Sequence, residues 1–226
     1  MNWFTSEFLY HSFAYLAMFG VSWYAYHKKS LKFFSDQGWA KHMGPHFLVM
    51  GIGILVWGLL PLFSWGYGFS QEIITGKTPM DNIQNLSVIA LAILAMIVGY
   101  TQSSKLQKID KLFIAPPTPL IVMLFFIFRI SFLVAYEFWF RGVFLHDLLL
   151  VFSTPMAIGV NVFLYALIHY FAGPLEAWSS IAFGIILCLL VIYTGVVWPV
   201  ILIHLSLSLS YELGFFQKAY KRLYFG

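Results

Sequence analysis

The sequence predicts an all-α protein, a polytopic transmembrane helical bundle of about seven spans, and three observations lead there. Hydrophobic residues make up 61% of the 226 and charged residues only 10%, with a mean hydropathy of +0.82, whereas a water-exposed surface needs far more charge. Apolar runs near 20 residues recur along the chain, about the length that crosses a hydrocarbon core. Trp and Tyr gather near the ends of those runs, at Trp23, Tyr24, Tyr26, Trp65, Tyr67, Tyr100 and Trp198, where amphipathic rings settle at headgroup level.

The expected spans are 8–26, 47–69, 86–100, 120–152, 156–172, 177–197 and 199–216. The first has no basic flank and no small-residue cleavage site, so it is read as a retained span rather than a signal peptide. The fourth is longer than one crossing requires and is expected to combine a tilted helix with an interfacial or re-entrant piece, which would bring the count to eight. Before it stands Ala115-Pro116-Pro117-Thr118-Pro119, where proline removes backbone donors and stops a helix. This punctuation separates an N-terminal three-span region, 1–114, from a C-terminal region, 115–226, that holds the buried charges. The loops are too short to fold alone, so the chain is expected to form one membrane domain. No internal repeat is visible, which weighs against an inverted-repeat transporter.

Basic residues follow the first span (Lys28, Lys29, Lys32, Lys41), the third (Lys105, Lys108, Lys111) and the last (Lys218, Lys221, Arg222), against Lys77 alone between the second and third. The positive-inside rule then predicts an N-terminus outside and a C-terminus in the cytoplasm. Compact length and the lack of a targeting segment point to a bacterial cytoplasmic membrane. A net charge of +4 spread over short loops excludes nucleic acid as a partner and leaves the lipid bilayer. The single cysteine, Cys188, lies in an apolar run and reads as an inert packing residue.

Ionisable groups inside spans mark function by default. Glu137 and Arg141 are four residues apart, hence on one helix face. The bland reading is a structural ion pair, but His169 and His204 lie in the next apolar segments, and Ser208 follows His204 by one turn. Glu and His can activate water at neutral pH, and His204 with Ser208 could donate two hydrogen bonds to an oxyanion. Arg129 at the cytoplasmic boundary would snorkel and set Glu137 about 12 Å deep, level with His169, so the main crossing is expected from 129 to 149 with an oblique lead-in at 120–128. His146 and Asp147 read as outer-interface residues, His27, His42 and His46 as loop residues, and His11 as a span residue with no identified partner.

Three stretches together resemble a known family: Tyr136-Glu137-Phe138-Trp139-Phe140-Arg141-Gly142, Tyr165-Ala166-Leu167-Ile168-His169, and His204-Leu205-Ser206-Leu207-Ser208. They are similar, in order and spacing, to the motifs of the CAAX-protease and bacteriocin-processing family of glutamate-type intramembrane proteases, also called the Abi or type II CAAX prenyl endopeptidase family. The resemblance covers roughly 120–214 and implies an intramembrane endopeptidase that cleaves a membrane-associated polypeptide. By that likeness Glu137 and His169 would polarise water, His204 and Ser208 would hold the oxyanion, and Arg141 would keep Glu137 ionised and oriented. Two positions depart from the pattern. Tyr136 replaces the first glutamate of a Glu-Glu-x-x-x-Arg motif, and Ser208 replaces a final Asn.

Tyrosine is a poor general base at neutral pH, so the alternative is a catalytically inactive member acting as a membrane peptide-binding, immunity or scaffold protein. A channel or transporter using the same groups as a proton relay is a third reading. Zinc at Glu137, His169 and His204 has suitable ligand types, but the adjacent Arg141 cation disfavours it, and no cofactor is expected. Other protease signatures, His-Glu-x-x-His and Gly-x-Ser-x-Gly among them, are missing from the sequence.

Overall fold

The computed structural model describes residues 3–28, 34–35, 38–39, 43–64, 72–76, 79–104 and 118–225. Helices occupy the apolar runs: α1 Trp3–His27, α2 Met43–Ser64, α3 Asn82–Ser104, α4 Pro119–Val151, α5 Thr154–His169, α6 Pro174–Thr194 and α7 Trp198–Phe225. A two-residue antiparallel pair, Phe34–Ser35 with Gly38–Trp39, is the only extended pairing among the described residues. Lys29, Lys32, Lys41, His42, Trp65, Tyr67, Lys77, Lys105, Lys108, Lys111 and the Ala115-Pro116-Pro117 punctuation, all used above, lie outside the described residues.

Among the described residues six helices, α2 to α7, with α5 extended by the turn Tyr170–Ala172, are long and apolar enough to cross a membrane, and the chain is a multi-pass membrane protein. Seven spans were expected, and α1 makes the difference. Its 25 residues include Glu7, His11, Tyr10, Tyr15, Tyr24 and Tyr26, which dilute its apolar content. Between 22% and 44% of each spanning window is buried in the bundle, so most of each apolar surface is left for lipid.

The long composite is neither broken nor re-entrant. It is one 33-residue helix, about 50 Å at 1.5 Å per residue. Thr118 caps it in extended conformation, its side chain accepting the Ile121 N–H, with Pro119 in the first turn, where a missing donor costs nothing. Directly after Glu137 the hydrogen-bond ladder widens into a π segment, Phe138–Phe144. Such inserted turns shift the facing of side chains and recur at functional sites. A second π segment, Ile54–Leu59, interrupts α2, and its Trp57 stacks on Trp139 of the first at 5.3 Å.

Turns are set by glycine and proline. Gly173, at φ +137, precedes Pro174 and starts α6, while Gly195, at φ +72, ends it by donating its N–H to the Val191 carbonyl at 2.7 Å. Both angles suit a residue without Cβ. α3 lies along α7 at small residues: a Cβ on Gly99 would run into the Leu207 carbonyl and Ser210 Oγ, and one on Gly214 into Ser103 Oγ. One buried apolar cluster joins α1, α2, α4, α5, α6 and α7, with Met18, Met50, Trp57, Phe125, Tyr136, Trp139, Tyr165, Cys188 and Phe215 among its members. A smaller one joins α3, α6 and α7. The polar groups lie where α4, α5 and α7 meet.

Candidate active site

Glu137, the last residue of α4 before the π segment, is fully buried. Its carboxylate takes two donors. Arg141 Nη1 donates to Oε1 at 3.4 Å across one helical turn and lies 3.2 Å from Oε2 as an ion pair, and His204 Nδ1, from α7, lies 2.5 Å from Oε1. Two buried charges in an apolar bundle persist only when paired and hydrogen-bonded, and here the cation has a second support, since Arg141 Cζ stands 3.9 Å over the Tyr165 ring. Gly184 of α6 makes room for this stack: a Cβ there would sit 3.3 Å from both Arg141 Nη2 and Tyr165 Cδ1.

His169 ends α5. Its Nδ1 is 2.8 Å from the Tyr165 carbonyl oxygen. A carbonyl only accepts, so Nδ1 carries the hydrogen and the lone pair falls on Nε2. The Tyr136 hydroxyl lies 3.5 Å from the same Nδ1, a nitrogen already committed to the carbonyl. The Tyr136 ring stands edge-on to both imidazoles, 6.1 Å from His169 and 5.9 Å from His204, so the residue at the substituted motif position occupies the space that links them. Around it Trp57, Phe132, Phe140 and Tyr165 complete an aromatic box.

The expected residues therefore gather, but in two subsets. Glu137, Arg141 and His204 form one, and Tyr136, Tyr165 and His169 the other. Glu137 was expected beside His169 and instead holds His204. Ser208 was expected beside His204 as an oxyanion donor, yet its partners lie one turn further along α7. Arg129 Nη2 donates to Ser208 Oγ at 2.7 Å, Arg129 Nε pairs with Glu212 Oε1 at 2.7 Å, and Ser208 Oγ is 3.4 Å from that same oxygen. Arg129 does not simply snorkel, because a buried acid on the neighbouring helix holds it. Among the described residues no three His, Cys, Asp or Glu side chains are arranged to hold a metal ion.

Three polar residues had no role assigned from the sequence. Asn161 is fully buried and donates its Nδ2–H to the Phe140 carbonyl at 2.6 Å, satisfying an acceptor inside the π segment. Cys188 in turn sits 3.4 Å from Asn161 Oδ1. Tyr165 carries both the carbonyl that fixes His169 and the ring that supports Arg141. Glu212 completes the Arg129 cluster. Spacing was the available signal for it, four residues beyond Ser208 and eight beyond His204, on the same face of α7. His11, left without a partner above, pairs through Nε2 with Asp147 Oδ2 at 2.9 Å, and Asp147 also faces His146 Nδ1 at 3.1 Å.

Fold and site together define a multi-pass membrane protein with a buried acid–imidazole–guanidinium centre shared by three of its helices. Residues 116–210, from the proline punctuation to just past Ser208, match the family described as type II CAAX prenyl endopeptidase, Rce1-like. No curated protein and no solved structure matches the chain.

Proposed function

We propose that the protein is an intramembrane endopeptidase that cleaves a membrane-associated polypeptide, with the C-terminus in the cytoplasm and the scissile bond near the cytoplasmic leaflet. His169 takes the proton from the attacking water, since the Tyr165 carbonyl occupies its Nδ1 and leaves Nε2 free to accept. Glu137 acts through His204: it binds Nδ1–H, fixes the ring and directs the second nitrogen to the peptide. When the carbonyl carbon is attacked, the new oxyanion is stabilised by His204 and the Ser208 hydroxyl. His169 then returns the proton to the leaving nitrogen as the C–N bond breaks. Arg141 keeps Glu137 charged and aimed. The observation that carries this reading is the 2.5 Å contact between Glu137 and His204, made by two motif residues from different helices inside the segment that matches the endopeptidase family.

The test uses purified full chain in liposomes and a quenched fluorogenic peptide whose C-terminal region carries a cysteine, supplied with and without a prenyl group. Wild type cleaves at least one form, and His169→Ala and Glu137→Gln each lower kcat by about 10²-fold or more, the range for general acid–base groups. Cleavage that survives both substitutions overturns the proposal. Binding of the peptide without turnover identifies a non-cutting scaffold instead.

A further inference from the structure

Ser208 behaves unlike six other helical hydroxyls among the described residues. Ser87, Thr101, Ser103, Ser180, Thr194 and Ser210 each donate to a carbonyl three or four residues earlier in their own helix, the ordinary resting place of a hydroxyl in an apolar helix. Ser208 sits in the same kind of helix, 8% exposed, and its partners are side chains: Arg129 at 2.7 Å and Glu212 at 3.4 Å. We propose that Arg129 and Glu212 are positioning residues that clamp the Ser208 hydroxyl as an oxyanion donor, an assignment that rests on the endopeptidase reading above.

A hydroxyl has one hydrogen and two lone pairs. Arg129 Nη2 fills one lone pair with a charge-assisted donor, which is roughly twice as strong as a neutral one, and a cation on that side prevents the hydrogen from turning there. Glu212 Oε1 is the other nearby acceptor. It already receives Arg129 Nε at 2.7 Å, and 3.4 Å from Ser208 Oγ is beyond the usual length for O–H···O. The hydroxyl hydrogen is thus held weakly at rest, polarised by the guanidinium and free to swing toward an oxyanion formed next to His204, one turn back along α7. Glu212 fixes the guanidinium plane so that Nη2, rather than a freely rotating cation, meets the oxygen. An amide side chain at position 208 would carry its own N–H in a rigid plane and need no such clamp. Serine, whose hydrogen rotates about the C–O bond, does.

The experiment is a kinetic cycle on the full chain in liposomes with the fluorogenic peptide cleaved by wild type. Ser208→Ala lowers kcat by about 10²-fold, as for loss of one oxyanion donor. Arg129→Met with Glu212→Gln removes both charges together, leaves no lone buried ion, and lowers kcat by about tenfold or more with KM changed less than twofold. Residues that act as a unit are not additive, so adding Ser208→Ala to that pair gives no more loss than Ser208→Ala alone. Arg129→Lys keeps the ion pair but lacks the fork that reaches both partners, and serves if the double variant does not fold. It lowers kcat in the Ser208 background and has no effect in a Ser208→Asn background. Additive losses, or an effect on KM alone, overturn the clamp while leaving the endopeptidase standing. Absence of turnover by wild type overturns both.

Discussion

The pairing of Glu137 with Arg141 gives the sharpest prediction that needs no substrate. Both side chains are 0% exposed and their nearest charged atoms are 3.2 Å apart, so at an effective dielectric of 20 their attraction is about 5 kcal/mol. Arg141→Met leaves Glu137 with one remaining donor, His204 Nδ1, and is expected to destabilise by about 3–5 kcal/mol, the range for stranding one partner of a buried pair. Glu137→Gln keeps an acceptor for His204 and leaves the guanidinium on the Tyr165 face, so its cost falls near the lower end, about 3 kcal/mol. The double variant strands no charge and is expected to lie within about 1 kcal/mol of wild type. The coupling energy from the cycle is then several kcal/mol. Equilibrium unfolding in mixed micelles, followed by tryptophan fluorescence, measures it. Additive losses in the double variant would refute the pairing as the reason these charges are tolerated.

Gly142→Ala would place a Cβ 2.9 Å from Ile73 Cγ2 and 3.4 Å from Val197 Cγ2; it is expected to cost about 1–3 kcal/mol by overpacking, with Ile73→Ala restoring most of it in the same unfolding assay. Asn161→Ala removes the side-chain donor to the Phe140 carbonyl, which keeps the Leu145 N–H, and is expected to cost about 0.5–1.5 kcal/mol, and Asn161→Asp at least as much, because an ionised carboxylate cannot donate. Tyr136→Phe removes a hydroxyl whose neighbouring His169 nitrogen is already bonded to a carbonyl, so melting temperature and kcat on the fluorogenic peptide change little, whereas Tyr136→Glu inserts a carboxylate into the aromatic box and lowers the melting temperature markedly.

Much of this was legible in the sequence because a bilayer imposes one simple rule. Backbone groups must be satisfied within each segment, so apolar length alone located six spanning helices to within about five residues of their ends, except that α7 continues past its apolar run to Phe225. The four intramembrane ionisable groups at 137, 141, 169 and 204 stood out by their cost, and they do gather. Which of them touch was not legible. Pairing depends on how far each helix is rotated about its axis, and the π segment after Glu137 shifts that rotation in a way no 3.6-residue periodicity reveals. Glu212 was overlooked for a related reason: it sits near the end of the last apolar run, where charge is normally taken up by headgroups, and only the approach of Arg129 from α4 shows that it is held inside. The apolar content of α1 was overstated because its tyrosines and phenylalanines look alike in a hydrophobicity count, though a phenol needs a partner for its hydroxyl. Tyr10 donates to the Val56 carbonyl and Tyr15 to the Leu164 carbonyl at 3.0 Å.

Those two bonds bear on the N-terminal helices, which lie outside the matched segment. Tyr15 reaches the carbonyl of Leu164, the residue before Tyr165, and so ties α1 to the turn of α5 that presents His169. Tyr10 bonds the π segment of α2, whose fully buried Trp57 packs against Tyr136, Trp139 and Phe140 at ring distances between 5.0 and 5.4 Å. The rings behind the site are therefore contributed from both sides of the proline punctuation. A π segment in α4 needs something opposite it to fill the widened turn, and α2 supplies a matching irregularity carrying the largest side chain available. The motifs that carry the family signature are confined to 116–210, but the packing that holds Tyr136 and the π segment in place is not. A change at Trp57, far in sequence from any motif, should disturb the spacing of His169 and His204 as directly as a change in α4 itself.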